Sequence, residues 1–254
     1  MCIRDSSITY ARRIQQAILP QVEELEAQLP GSFVFYRPRD IVSGDFYWFR
    51  RSGNKIILAC ADCTGHGVPG ALMSMIGGML LREVSVVHEL NSPDVLLRDL
   101  DNELRAVLQY QADDLSSHDG MDISLCEFDM ATKHLRASAA MHDLLILSNG
   151  KLRRERGTRH SIGGALGNDT TQVFSMIEAP LEAGDRVYLF SDGIQDQFGG
   201  PQSKKLKVSG LFAWIEETAT LPMAEQAEQL RLRFDAWIGD QDQVDDVLLI
   251  GIEM

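Results

Sequence analysis

Apolar and polar positions alternate through this chain in two distinct rhythms. Residues 7–29, SITYARRIQQAILPQVEELEAQL, place Ile8, Ala11, Ile18, Val22, Leu25 and Leu29 at heptad a and d positions, with Gln15 the polar exception. That spacing predicts a helix, and Pro20 should kink or break it. It suits a connecting helix that pairs with another chain, or an amphipathic helix lying on its own domain. LPGS at 29–32 marks a boundary, dividing the chain into a linker helix (1–30) and a domain (31–254). The opening MCIRDS reads as the continuation of an upstream region or as a few non-native residues.

Beyond residue 31 the rhythm changes. SFVFYRP and DFYWFRRSGNKIILACAD read as strands, with RSGN as a hairpin turn. Helices are predicted over 68–88 and over 93–110, the second with Pro93 at its first position after Ser92. ADDLSSHDG (112–120) is a polar loop. Strand patterns return in MDISLCEFD, in HLRASAAMHDLLILSN, in TQVFSMIEAPL after a Gly/Arg-rich connection at 149–168, and in DRVYLFSD. A flexible loop is expected at 194–210, then helices near 209–218 and 222–238, and a final strand in DDVLLIGIEM. Strands, two helices, strands, two helices and a strand do not follow strict βα alternation. They fit an α+β fold with layered sheets and helices outside.

Bulk properties narrow the function. Hydrophobic residues make up 44% of the 254, enough for a full core. A formal net charge of −13 argues against nucleic acid as the main partner, which needs a basic face. The acid surplus is a soluble surface, a divalent-cation site, or both. No apolar run reaches 18 residues and no signal-peptide core is present, so a cytoplasmic location is expected, with no membrane span in this chain. Four cysteines are too few for a disulfide framework. Cys60 and Cys63 form a C-x-x-C that would be redox-active or half a zinc site, yet no second pair of zinc ligands follows. The alternative is Cys60 packed in the core and Cys63 in a turn.

The informative stretch is DCTGHGVPGA, Asp62 to Ala71. A carboxylate closes the apolar strand KIILACA, three glycines follow, and then an apolar helix begins. A charge there needs a cation, a basic side chain or a run of backbone N–H groups. Acids at three more strand ends share this setting. Asp45 opens DFYWF, Asp192 closes RVYLFS, and Asp245 and Asp246 precede VLLIGI. Each alone reads as a turn residue or helix cap. If the strands are neighbours, the acids converge on one rim, where they stay ionised only around a cation. An all-oxygen set suits Mg²⁺ or Mn²⁺, and one Asp shared by two ions makes a centre that activates water for in-line displacement at phosphorus.

Six segments carry a family resemblance: YRPRDIVSGDFYWF, ADCTGHGVPGALMSMIG, DGMDISLCEFD, SIGGALG, LFSDGIQDQFGG and VDDVLLIGI. In this order they resemble the metal-dependent protein phosphatases of the 2C class, in the bacterial branch named after stage II sporulation protein E. The resemblance implies a four-layer α-β-β-α sandwich with two antiparallel sheets and two Mn²⁺ or Mg²⁺ between them. By the same resemblance Asp62 bridges the metals, the Cys63 backbone carbonyl and Asp45 serve the first, and Asp192 and Asp245 the second. Asp246 is the alternative to Asp245. Asp122 is either a ligand near a third ion or a turn acid. His66 is either a general acid or a structural residue; the eukaryotic enzymes place Gly directly after the bridging Asp and then His, whereas Cys63, Thr64, Gly65 and His66 follow here. Arg37 and Arg39 are candidates for a phosphate clamp, or lie on a solvated edge. Leu248 replaces the Thr often found after the final acid pair.

The implied activity is hydrolysis of phosphoserine or phosphothreonine on a regulatory protein of the anti-anti-sigma-factor type, without a covalent enzyme intermediate. An upstream sensor or a homodimer would act through the N-terminal helix. In this branch related helices switch the metal site between states. The rival expectations are a catalytically inactive binding module and a small-molecule phosphohydrolase.

Overall fold

A computed structural model describes residues 3–87, 92–108, 119–164 and 173–254. Cys2, the helix end expected at 109–110, most of the polar loop at 112–120 and the last three residues of SIGGALG lie outside them. One five-stranded antiparallel sheet has the order β1 (Ser32–Arg37), β12 (Val247–Glu253), β9 (Arg186–Phe190), β6 (Asp143–Ser148), β7 (Lys151–Arg156). The other runs β2 (Phe46–Ser52), β3 (Lys55–Cys63), β4 (Met121–Asp129), β5 (His134–Ala140), β8 (Met176–Pro180), also antiparallel.

Alternate side chains on each strand enter different layers. On β3, Ile56, Leu58 and Cys60 pack between the sheets with Leu144, Ile146, Leu248 and Ile250. Ile57, Ala59 and Ala61 face the other way, against α3 (Gly67–Val87) and α4 (Pro93–Leu108), meeting Leu81, Leu97 and Leu100. On β12, Val247 and Leu249 face α6 (Lys207–Thr218) and α7 (Met223–Ile238), meeting Leu211, Ile215, Leu230 and Phe234. Both of these strands are buried on both faces, which explains their near-continuous apolar runs. Three apolar layers separate four structural ones, giving the expected α-β-β-α sandwich. Cys60 and Cys63 are free thiols in different layers, so they form no disulfide.

The N-terminal helix breaks where Pro20 predicts, into α1 (Ile3–Ile18) and α2 (Val22–Gln28). α1 lies along α3, and Leu25 and Leu29 are buried in the inter-sheet layer. Gln15 is buried because its amide has a complete set of partners. Its Nε2 donates to the Ser43 carbonyl (2.6 Å) and Ser74 Oγ (2.8 Å), and its Oε1 accepts from Ser43 N (3.2 Å).

Three expectations need correction. HLRASAAMHDLLILSN is two strands: the chain turns at Met141 (φ +59°) and passes from one sheet to the other. The connection at 149–168 begins with a strand, β7, which returns from β6 through Asn149 and Gly150, both at positive φ, in the tight hairpin that an Asn-Gly pair favours. Residues 194–210 are ordered rather than a loop. They hold the end of α5 (Asp192–Asp196), the short pair β10 (Phe198–Gly199) and β11 (Lys204–Lys205), and the start of α6. Buried Gln197 pins this segment: its Nε2 donates to the Asp242 carbonyl, its Oε1 accepts from Val244 N, and its carbonyl accepts from Trp237 Nε1.

Candidate active site

The register brings the acids to one end of the sandwich. Phe46 pairs with Ala61, so Asp45 and Asp62 leave β2 and β3 side by side, and Asp62 pairs directly with Asp122 on β4. From the other sheet, β9 runs into Asp192, and Asp245 and Asp246 lead into β12. Asp62, Asp122, Asp192 and Asp245 line a cavity of ≈250 Å3 with Cys63, Thr64, Gly65, His66 and Ser161.

Glycines allow the two acid-bearing loops to meet. Gly65 takes φ +85°, which turns the chain three residues after Asp62. Gly70, in the first turn of α3, lies so close to the loops that a methyl there would sit 2.2 Å from the Gly65 carbonyl oxygen and 3.0 Å from the Gly44 Cα. Thr64 locks the same loop to β4: its N–H and hydroxyl both face the Gly120 carbonyl (2.9 and 3.1 Å), and its Oγ1 accepts from Gly120 N.

Burial first, then the charges of neighbouring acids, raises the Asp45 carboxyl well above the usual range; a hydrogen bond from Ser191 offsets part of this. Asp62 is raised likewise, by burial and by Asp45, Asp192, Asp245 and Asp122. Burial, Asp245 and Asp196 push Asp192 up to about 6, against a hydrogen bond shared with Asp62. Asp122 is raised by burial, opposed by a 2.5 Å hydrogen bond from Ser161 Oγ.

The donor set fits a hard divalent cation. Asp45, Asp62, Asp122, Asp192 and Asp245 are all carboxylates, and their mutual repulsion is what a cation removes. Asp45 Oδ2 is buried without a hydrogen-bond partner, a state that costs free energy unless an ion fills it. The acids converge without a ready-made ligand set: among the described residues no three His, Cys, Asp or Glu side chains already close on a metal position.

The two members of the final acid pair differ in their surroundings. Asp246 is buried, and its carboxylate accepts from Arg39 N (2.7 Å) and Gly44 N (2.8 Å). It thereby ties the Asp45 loop to β12, while Asp245 lines the cavity. His66 is exposed at the cavity edge, with Nδ1 3.2 Å from Asp40 Oδ2. Arg37 points elsewhere: its guanidinium pairs with Asp235 (2.6 Å) and lies over the Phe234 ring on α7. Arg39 contributes its backbone N–H, to Asp246. Thr64, Ser161 and Gly44 hold the acid loops without being candidate ligands; of these, Gly44, directly before Asp45 in VSGD, carries a local signal in the sequence.

The raised carboxyls set a pH-dependent expectation. A carboxyl held above its unfolded value stabilises the fold when protonated, and this stability is lost as pH rises through the folded pKa. In EDTA, Asp192→Asn should therefore melt higher than wild type at pH 7.5, and the gap should close towards pH 5. Excess Mn²⁺ at pH 7.5 should reverse the order. Melting curves at the two pH values check it; a variant less stable in EDTA at pH 7.5 would contradict the repulsion.

Comparison with known proteins agrees with this geometry. The family model for Stage II sporulation protein E (SpoIIE) matches residues 52–254. The SiaA-PP2C domain of Pseudomonas aeruginosa superposes with a TM-score of 0.88 at 30% identity, covering 98% of this chain and 96% of that one. The PP2C phosphatase domain of SpoIIE from Bacillus subtilis, with a fragment of its regulatory domain, gives 0.69 at 16% identity, over 88% and 63%. RsbX in complex with magnesium gives 0.59 at 12%, over 88% and 94%. A search of curated proteins returns no match. Among the described residues no helix is long and apolar enough to cross a membrane. The chain belongs to the SpoIIE family and has the fold of a PP2C-type phosphatase domain.

Proposed function

We propose that this chain is a metal-dependent phosphatase acting on phosphoserine or phosphothreonine of a regulatory protein. The observation that carries the reading is the convergence of Asp45, Asp62, Asp192 and Asp245 at one end of the two sheets, with Asp45 Oδ2 buried and unpartnered. Asp45, Asp62 and the Cys63 carbonyl would hold one Mn²⁺ or Mg²⁺, and Asp62, Asp192 and Asp245 the other. Asp122 is a candidate ligand to a third ion. Bound cations supply Lewis-acid charge to the phosphoryl oxygens and lower the pKa of an attacking water.

The chain's own residues do the positioning. Asp246 fixes the Gly44–Asp45 loop through two backbone N–H groups, and Thr64 fixes the loop after Asp62 to Gly120. Ser161 holds Asp122. His66 at the cavity edge, beside Asp40, is the candidate proton donor to the leaving serine oxygen. A regulatory protein of the anti-anti-sigma-factor type is the substrate that the family likeness favours.

The N-terminal helix is proposed to transmit the state of an upstream sensor, a partner or a second copy of the chain. Support comes from Gln15 on α1, which holds Ser43 two residues before Asp45. Three buried free thiols, Cys60, Cys63 and Cys126, suit a reducing cytoplasm.

The test is hydrolysis of p-nitrophenyl phosphate in millimolar Mn²⁺, followed by a panel of phosphopeptides, phosphoproteins and nucleotides. Turnover abolished by EDTA, with phosphoproteins preferred, is expected. EDTA-insensitive turnover would overturn the metal reading, and preference for nucleotides would overturn the protein substrate.

A further inference from the structure

Beside the acid rim lies a second cavity, of ≈220 Å3, which shares Asp122 and Asp192 with the first. Its other wall is cationic. Arg154, on β7, and Arg159, just beyond it, both reach the buried carboxylate of Asp143. Arg154 Nε is 2.5 Å from Asp143 Oδ2, and Arg159 Nη2 is 2.8 Å from Oδ1. Arg159 Nη1 also donates to the Met141 carbonyl (3.0 Å), which fixes the plane of the guanidinium. Two guanidiniums on one carboxylate make this wall net positive, facing Asp122 and Asp192, and the two arginine side chains are 34% and 49% exposed.

The surroundings extend this charge. β7 is the edge of its sheet, bonded only to β6. Segment 151–159, KLRRERGTR, has five basic residues and one acid in a chain of net charge −13. Strand alternation puts Arg156 on the face of Arg154, and Arg156 has no acidic partner within ion-pair distance among the described residues. A basic edge on an acidic protein, opening beside the candidate active site, selects for a partner with negative charge next to the reacting group.

We propose that Arg154, Arg156 and Arg159 form an anion subsite for an acidic segment of the phosphoprotein substrate, with a carboxylate on Arg154 and Arg159 while the phosphoryl group lies at the acid rim. The placement of the phosphoryl group rests on the phosphatase reading; the binding of carboxylate does not. Both guanidiniums are tied to Asp143 and not to the rim acids Asp122 and Asp192, which line the facing wall. A residue neighbouring the phosphoserine, rather than the phosphate itself, would meet the guanidiniums.

The test is fluorescence anisotropy with labelled, unphosphorylated serine peptides, flanked by Glu or by Gln, in EDTA at low salt. The Glu peptide should bind wild type about tenfold tighter than the Gln peptide, and Arg159→Glu should erase the difference. Arg156→Glu, at an exposed position, should weaken the Glu peptide about threefold, and it keeps the test open if Arg159→Glu disturbs folding around Asp143. Equal binding of the two peptides, unchanged affinity in folded variants, or tighter binding of an oligonucleotide of matching charge would overturn the subsite. Turnover of p-nitrophenyl phosphate by wild type, measured alongside, reports on the phosphatase reading separately. Glu-selective binding without turnover would keep the subsite and reject the enzyme.

Discussion

Asp62→Asn is expected to abolish Mn²⁺-dependent phosphatase activity without unfolding the protein. Asp62 lies beside Asp45 at the ends of β2 and β3, pairs with Asp122 on β4, and lines the cavity with Asp192 and Asp245. Asp62 thereby meets acids from both sheets, which is the position required of a ligand shared between two ions. Losing a shared ligand removes several kcal/mol of transition-state stabilisation, and ~4 kcal/mol is about a thousandfold in rate. The same substitution relieves repulsion in the metal-free protein, because burial and four neighbouring acids disfavour the Asp62 carboxylate there. Activity and stability should therefore separate. Turnover of p-nitrophenyl phosphate falls to background, while the melting temperature in EDTA is unchanged or higher. A variant that retains activity would remove Asp62 from the site. One that melts far lower in EDTA would make its role structural.

Gly70→Ala is the second large effect, and it acts through backbone. The added methyl would meet the Gly65 carbonyl oxygen at 2.2 Å and the Gly44 Cα at 3.0 Å, and neither can rotate away as a side chain does. Overpacking of this kind costs ~2–3 kcal/mol, or about 4–12 °C in melting temperature for a domain of this size. Relief requires the Gly44 and Gly65 loops to separate, and these flank Asp45 and Asp62. Activity should fall further than the stability loss explains, with weakened Mn²⁺ dependence as its mark. Gly164→Ala is the control, since nothing lies within 4 Å of the added methyl and its φ is not positive. Equal behaviour of the two variants would show that the close approach at Gly70 does not organise the site.

Much of this arrangement was legible in the sequence. Strands buried on both faces write themselves as apolar runs, and an acid at the end of such a run is conspicuous. Gly65 and Gly70 were visible as punctuation, although only the fold shows that Gly70 touches Gly44. What escaped reading depends on residues distant in sequence. Arg37 looked available for phosphate until α7 brought Asp235 and Phe234 to it. Gln15 broke a heptad because its partners, Ser43 and Ser74, come from other elements. The turn at Met141 lacks Gly or Pro, so two strands read as one, whereas Asn149-Gly150 is a local hairpin signal. Residues 194–210 read as a loop because polarity and glycine dominate locally, while the buried Gln197 that orders them meets partners more than 40 residues away.

Calorimetric titration of Mn²⁺ into the metal-free protein tests the central claim most directly, because it needs neither a substrate nor an active conformation. The account predicts about two ions per wild-type chain, with proton release on binding as the raised carboxyls ionise, and loss of this uptake in Asp62→Asn. Absence of Mn²⁺ uptake by wild type, or the same isotherm for wild type and Asp62→Asn, would contradict it.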